Sequence, residues 1–218
     1  MKPQGSQLPA IIFDFGGVLI DWNPRHLYKK LLDDPAKLER FLTEIDFHHW
    51  NLELDRGRPY AESVAELSRV FPQYADLIRA YDERWEESLR GPIQATVEIL
   101  RALKERGYAL YGLTNWSAEK YEIVRHKYPF LGLFDDIVVS GIVKLIKPDP
   151  RIFALLLEKI NRPAADGLFI DDSETNITAA QQLGFNTIHF KSAEQLAMEL
   201  SRQGLLLDKK ADKQEKEG

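Results

Sequence analysis

The chain has 218 residues, 44% of them hydrophobic and 29% charged, with a formal net charge of −5 at pH 7 and no cysteine. That is enough to bury one good core and carry one small appended domain, and it excludes a disulfide framework or a thiolate metal site. No apolar run reaches membrane-spanning length, no signal-peptide core opens the chain, and no basic stripe with interleaved aromatics points to nucleic acid, so a cytoplasmic soluble protein is the default.

The first element is a strand over Ala10–Phe13, which stops at Asp14 and is followed by Phe15, Gly16 and Gly17. A carboxylate where a buried strand opens into a glycine turn sits at a sheet edge, with neighbouring N–H groups placed to meet an anion. From Trp22 to Arg90 apolar residues recur at three- and four-residue spacings, as in Leu27, Leu31 and Leu32 or Leu77, Tyr81 and Trp85. That periodicity predicts a helical insertion over 22–90, left through Asp21 to Pro24 and closed by a hinge at Gly91-Pro92.

A helix over Ala95–Arg106, closed by Gly107, precedes a strand over Ala109–Leu113 that ends in Thr114-Asn115-Trp116-Ser117. Thr114 brings a hydroxyl donor and Asn115 an amide, while Ser117 suits the cap of a helix over Ala118–Lys127, whose free N–H groups favour negative charge. A strand over Asp136–Ser140 leads to Lys144 and Lys147-Pro148-Asp149-Pro150. Lys144 reads as solvated surface, whereas Pro148 stiffens the backbone at Lys147 and Pro150 opens a helix over Pro150–Asn161. A strand over Leu168–Ile170 then ends in Asp171-Asp172, adjacent acids that repel unless a cation or donors intervene. Few hard oxygen ligands near a phosphate suit magnesium. A helix over Thr175–Leu183 closed by Gly184, a strand over Thr187–Phe190 and a charged tail over 208–218, expected to be disordered, complete the chain.

Alternating strands and helices predict an α/β fold, a Rossmann-like parallel sheet covered by helices on both faces, with ligands at the carboxyl ends of the strands. The core is expected from 1–21 and 91–207, with the α-helical cap between them. Each of the four polar segments sits at a strand end.

In this order the four segments resemble the haloacid dehalogenase superfamily, in particular its branch with a helical cap between the first and second motifs. The resemblance runs from Pro9 to Leu206 and implies a magnesium-dependent phosphatase acting on a small phosphorylated molecule, with a sugar phosphate as one candidate. It implies Asp14 as the nucleophile that becomes an aspartyl-phosphate, and magnesium held by Asp14, the carbonyl of Gly16 and Asp172, with Asp171 and Asn176 in support. Thr114 would bond a phosphate oxygen and Lys147 would neutralise phosphate and nucleophile. Gly17, Asn115, Trp116 and Trp22 are the expected substrate contacts.

Gly16 departs from the pattern, since most phosphatases of the superfamily carry a second aspartate there that protonates the leaving group. General acid–base catalysis contributes about a hundred- to ten-thousand-fold. Another residue supplies the proton, or the leaving group needs little help, or the reaction is not phosphate hydrolysis. The haloacid dehalogenases also lack that aspartate and use no metal, but they carry small polar groups where this chain has Asp171 and Asp172; two acids there would repel a carboxylate substrate. A third reading is a protein that keeps the fold for binding or regulation and has lost turnover.

In the insertion, Trp22, Asn23, His48, His49, Trp50, Asn51 and Arg56 are candidates for substrate choice. Adjacent histidines on a helix point to different faces, so at most one of His48 and His49 faces the site. Trp50 and Trp85 read as core of the insertion, and Trp116 as the better candidate for the pocket wall. Nothing in the sequence sets an oligomeric state.

Overall fold

The computed structural model describes residues 8–206; the expected disorder of 208–218 lies outside them. The chain order is β1 (Ala10–Phe13), β2 (Ile20–Trp22), α1 (Pro24–Tyr28), α2 (Pro35–Glu44), α3 (Phe47–Asp55), α4 (Tyr60–Val70), α5 (Ala75–Glu83), β3 (Leu89–Pro92), α6 (Gln94–Glu105), β4 (Leu110–Thr114), α7 (Ala118–Lys127), β5 (Asp136–Val139), α8 (Ser140–Val143), α9 (Pro150–Ile160), β6 (Gly167–Asp171), α10 (Glu174–Gln182), β7 (Asn186–His189) and α11 (Ala193–Arg202). Five strands form a parallel sheet in the order β5-β4-β1-β6-β7. The α/β class and the strands expected for this sheet are therefore present, shifted by a residue or so at their ends.

The central strand shows why both faces must be covered. Ala10, Ile11, Ile12 and Phe13 have no exposed surface, and successive side chains of a strand point to opposite faces. Ile11 and Phe13 join a cluster with Val97, Leu100 and Leu103 of α6 and Leu196 and Leu200 of α11. Ile12 packs on the other side with Ile152, Phe153 and Leu156 of α9 and with Ile177 of α10. Burying each such side chain fully is worth roughly 1.5–3 kcal/mol.

Register sets the functional edge. Phe13 pairs with Gly112 on β4 and with Ile170 on β6, and the N–H of Asp14 donates to the Ile170 carbonyl at 2.9 Å. Asp14, Thr114 and Asp171 therefore emerge together at the carboxyl ends of three adjacent strands.

Three features depart from the sequence reading. The two expected hinges pair with each other as an antiparallel ribbon, Ile20 with Pro92, Asp21 with Gly91 and Trp22 with Leu89; strands this short carry no readable alternation. Ser140 opens the single turn of α8 instead of ending β5. The helix α11 was not expected, although Ser192 caps it and Leu196 and Leu200 have helical spacing.

The helical insertion has an aromatic core. Tyr28 meets Phe41 edge-on at a centroid distance of 4.8 Å, and Phe47 meets Tyr81 edge-on at 4.9 Å. It is tied to the rest by polar bonds: Ser140 Oγ donates to the Asp55 carbonyl at 2.6 Å while accepting from the Trp116 N–H at 2.8 Å, and Lys120 Nζ donates to the Asp82 carbonyl at 3.0 Å.

Next to that tie, Gly141 has no room for a side chain, since a Cβ there would meet the main chain of residues 116–118, including the Trp116 carbonyl oxygen at 2.8 Å. Gly141→Ala should lower stability by about 1–3 kcal/mol, the usual cost of overpacking, as read from urea denaturation; an unchanged midpoint would mean this junction is not close-packed.

Candidate active site

Lys147 is the buried centre of the site. Its residue is 2% exposed, and Nζ lies 2.6 Å from Asp171 Oδ2 and 2.9 Å from Asp14 Oδ1. A third bond goes to the Leu113 carbonyl at 2.9 Å, so all three ammonium protons have acceptors. Burial opposes the charge on Lys147, but Asp14 and Asp171 outweigh it and raise its pKa. The main chain of Lys147 is held as firmly: its N–H donates to Asn115 Oδ1 at 2.8 Å, and Asn115 Nδ2 donates to its carbonyl at 3.0 Å. Asn115, expected as a substrate contact, thus positions Lys147 with its carbonyl oxygen and one of its two N–H groups, and it also lines the cavity described below.

The two adjacent acids divide their work. Asp171, with no exposed surface, accepts from Lys147, from Asn176 Nδ2 at 3.1 Å to each oxygen, and from the Ser173 N–H at 2.8 Å. It is a support for its neighbours rather than an open ligand. Asp172 is exposed. One oxygen from each of Asp14, Asp171 and Asp172 lies within 4.8 Å of the others.

That clustering has an electrostatic cost. Burial is the main cause that pushes the Asp14 carboxyl up; Lys147 opposes the rise, and Asp171 and Asp172 add to it. Asp172, exposed at its surface, is raised by partial desolvation where it leans on the turn and then by Asp171. Three carboxylates around one ammonium leave two negative charges unbalanced when all are ionised, which is the donor chemistry a hard divalent cation satisfies. The open oxygens are those of Asp14 and Asp172, and among the described residues no main-chain donor reaches the Gly16 carbonyl. The residues present thus fit magnesium.

The glycines of the turn have separate reasons. Gly17 has φ of 74° and lies against Asp172, where a Cβ would come within 2.9 Å of Cγ, so only glycine lets the acid close onto the turn. Its N–H donates to the Ile20 carbonyl at 2.9 Å, which corrects the expectation that this N–H faces an anion. At Gly16 a Cβ would meet nothing closer than Trp116 Cζ3 at 4.0 Å. Space does not demand glycine there.

Two buried polar atoms beside these groups have no protein partner, Thr114 Oγ1 and Trp116 Nε1. Unsatisfied buried donors are costly and rare, and Thr114 stands at the same sheet edge as Asp14. Above the edge lies a cavity lined by Gly16, Trp22, Asn51, Asp55, Tyr60, Tyr81, Trp85, Asn115, Trp116 and Ser117. Trp85 and Trp116 meet edge-on in its wall at a centroid distance of 5.7 Å. Trp22 and Trp116, the expected substrate contacts, both line this cavity, and so does Trp85, which the sequence reading placed in the core of the insertion. Trp50 packs on Phe47 and Tyr81 as core. His48 and His49 are exposed, and Arg56 and Arg58 are paired with Glu53 and Glu66. Asp55 was missed by sequence reading; a lone acid before Arg56 carries no local signal.

Removing the Lys147 charge tests this arrangement. Lys147→Met leaves Asp14 and Asp171 buried together, and loss of one partner from a buried ion pair costs about 3–5 kcal/mol. Urea denaturation should report that loss at neutral pH. Burial already pushes the Asp14 carboxyl up, and without the opposing lysine its folded value stands further above the unfolded one, so the deficit should shrink as pH falls and Asp14 protonates; a pH-independent loss would indicate a packing effect alone.

The sequence profile of the haloacid dehalogenase-like hydrolases matches residues 8–184. A sesquiterpene phosphatase of Aspergillus oryzae is 29% identical over 203 residues, covering 88% of this chain and 94% of its own. An HAD family enzyme of Bacteroides thetaiotaomicron, solved as an aspartate-to-alanine variant in complex with magnesium and inorganic phosphate, superposes with a TM-score of 0.66 at 23% identity, over 85% of this chain and 95% of that one. The L-2-haloacid dehalogenase of Xanthobacter autotrophicus shares the fold at a TM-score of 0.60 and 19% identity, over 90% and 83%. With Asp14, Thr114 and Asp171 at one edge of a parallel sheet, Lys147 reaching both acids from the segment before α9, and a family profile spanning most of its length, the chain belongs to the haloacid dehalogenase-like hydrolases.

Proposed function

We propose that this hydrolase is a magnesium-dependent phosphatase that cleaves a small phosphomonoester through an aspartyl-phosphate on Asp14. The observation that carries the reading is the charge imbalance at the sheet edge, three carboxylates against one lysine, with Asp14 and Asp172 the two that remain open. Such a site attracts a divalent cation and, through it, a phosphate; it repels the bare carboxylate of a 2-haloacid. The phosphatase activity named for the Aspergillus oryzae relative supports the same class.

Asp14 is positioned to attack phosphorus because the strand end and the Lys147 ammonium both fix its carboxylate. Lys147 also offsets one of the negative charges at the sheet edge as the phosphoryl group arrives. Thr114 Oγ1, buried and unpartnered, is available to donate to a phosphoryl oxygen, and Asp171 keeps Lys147 and Asn176 in place. Held by Asp14, Asp172 and the Gly16 carbonyl, magnesium would supply charge neutralisation on the transferring oxygens. The tryptophans at 22, 85 and 116 give the cavity flat apolar walls, suited to the face of a sugar ring or to an apolar chain; sugar phosphates and isoprenyl phosphates are therefore the substrates to try first.

Phosphate release should require magnesium, and no halide should be released from a 2-haloacid assayed in parallel; the reverse pattern would revive the dehalogenase. Asp14→Asn should abolish turnover while leaving the melting temperature at or above that of the wild type, since one of three crowded carboxylates loses its charge. Added magnesium should raise the wild-type melting temperature by mass action and should fail to do so in Asp172→Asn. An equal rise in both proteins would remove Asp172 from the ligand set.

A further inference from the structure

The reaction proposed above lacks a proton donor, because Gly16 occupies the position that would carry one. The cavity holds a carboxyl that the mechanism has not used. Asp55 closes α3 in the helical insertion and lines the same small cavity as Gly16, Trp116 and Asn115. We propose that Asp55, reaching in from the insertion, is the acid that protonates the leaving group and then the base that activates water. This rests on the phosphatase reading and deepens it.

The placement is built rather than incidental. Asn51 Nδ2 donates to Asp55 Oδ2 at 2.8 Å, and the Asn51 amide is itself oriented by Tyr81, whose hydroxyl donates to Asn51 Oδ1 at 2.7 Å. The Asp55 main chain is tied to the catalytic core through Ser140, which donates to its carbonyl at 2.6 Å. Among the described residues Asn51 is the one side-chain donor to this carboxyl, which the Ser117 N–H also approaches from the core side of the cavity. Gly16 is free of steric constraint, so the glycine is not there because the turn needs it; a carboxylate at that position would add a further negative charge beside Asp14 and Asp55.

The electrostatics agree with an acid. Burial is the main cause that pushes the Asp55 carboxyl well above the usual carboxylate range, opposed by the Ser117 N–H and Asn51, while the nearby Asp14 charge raises it further. A carboxyl that holds its proton more tightly than an ordinary carboxylate is suited to deliver it to a leaving group.

The step balances. As an Asp14 oxygen bonds to phosphorus, the ester P–O bond breaks and its electron pair leaves with the alcohol oxygen, which takes the proton from Asp55. Asp55, now a carboxylate, takes a proton from the water whose oxygen attacks the aspartyl-phosphate. Inorganic phosphate departs, Asp14 returns as a carboxylate and Asp55 is reprotonated.

The test compares single-turnover release of the leaving group from aryl and alkyl phosphates, in wild type and Asp55→Asn, with magnesium present. The wild type should depend weakly on leaving-group pKa. Asp55→Asn should lose about 10²- to 10⁴-fold on alkyl phosphates and far less on aryl phosphates, whose oxygen leaves without a proton, and Gly16→Asp added to Asp55→Asn should restore part of the alkyl rate. Equal losses on both ester classes, or alkyl rates unchanged in Asp55→Asn, would overturn the role of Asp55. A steep leaving-group dependence in the wild type would overturn it without any variant, even if Asp55→Asn failed to fold. Release from no ester by the wild type would instead overturn the phosphatase reading beneath it.

Discussion

The site depends on one buried ammonium. Lys147 reaches Asp14, Asp171 and the Leu113 carbonyl at once, and without it the carboxylates at the ends of β1 and β6 would be forced together in a region with little solvent. A buried ion pair contributes less to stability than its Coulomb attraction suggests, because both charges are desolvated. What it provides here is position. The sheet register brings Asp14 beside Asp171, Lys147 locks both, and the Asn115 amide locks the main chain of Lys147 in turn. Asp172 is then the acid that remains accessible, with Gly17 giving it room to approach the turn.

A second layer of order comes from the helical insertion. The paired ribbon of β2 and β3 carries the chain out and back, so the insertion starts from a defined direction rather than from two loose hinges. Ser140 then joins α3 to the turn after β4 with a single hydroxyl that accepts from Trp116 and donates to Asp55. The cavity wall is consequently shared, with Trp116 and Ser117 from the core and Trp22, Trp85, Tyr60 and Tyr81 from the ribbon and the insertion. Gly16, where this chain departs from the common pattern, and Asp55 of the insertion both line that shared cavity.

Much of this was legible in the sequence because the strands of the sheet are short apolar runs that end in a polar residue, and polar residues at strand ends are local signals. Asp14, Thr114, Asp171 and Asp172 could each be placed on that basis, and Lys147 by the prolines that flank it. The ribbon was not legible: three or four residues cannot display a period of two, and Gly91-Pro92 reads as a turn whether or not it pairs. The commitment of Asn115 to Lys147 is a contact across 32 positions, and the meeting of Trp85 with Trp116 likewise joins segments that sequence keeps apart. Asp55 shows the same limit most clearly, since its meaning comes from its neighbours in space, Asn51, Ser117 and Gly16, and not from its neighbours in the chain. The helix α11 is a different case, as its cap and its leucine spacing were available to be read.

The central claim is that Asp14 carries the phosphoryl group. The most direct measurement is to quench the enzyme with acid during turnover of a phosphomonoester in magnesium and to map the phosphoryl group by peptide mass spectrometry. The account predicts the added phosphoryl on Asp14, absent when magnesium is withheld. Turnover with the phosphoryl group on another residue, or with none trapped at Asp14 under conditions where the step that removes it is slow, would contradict it.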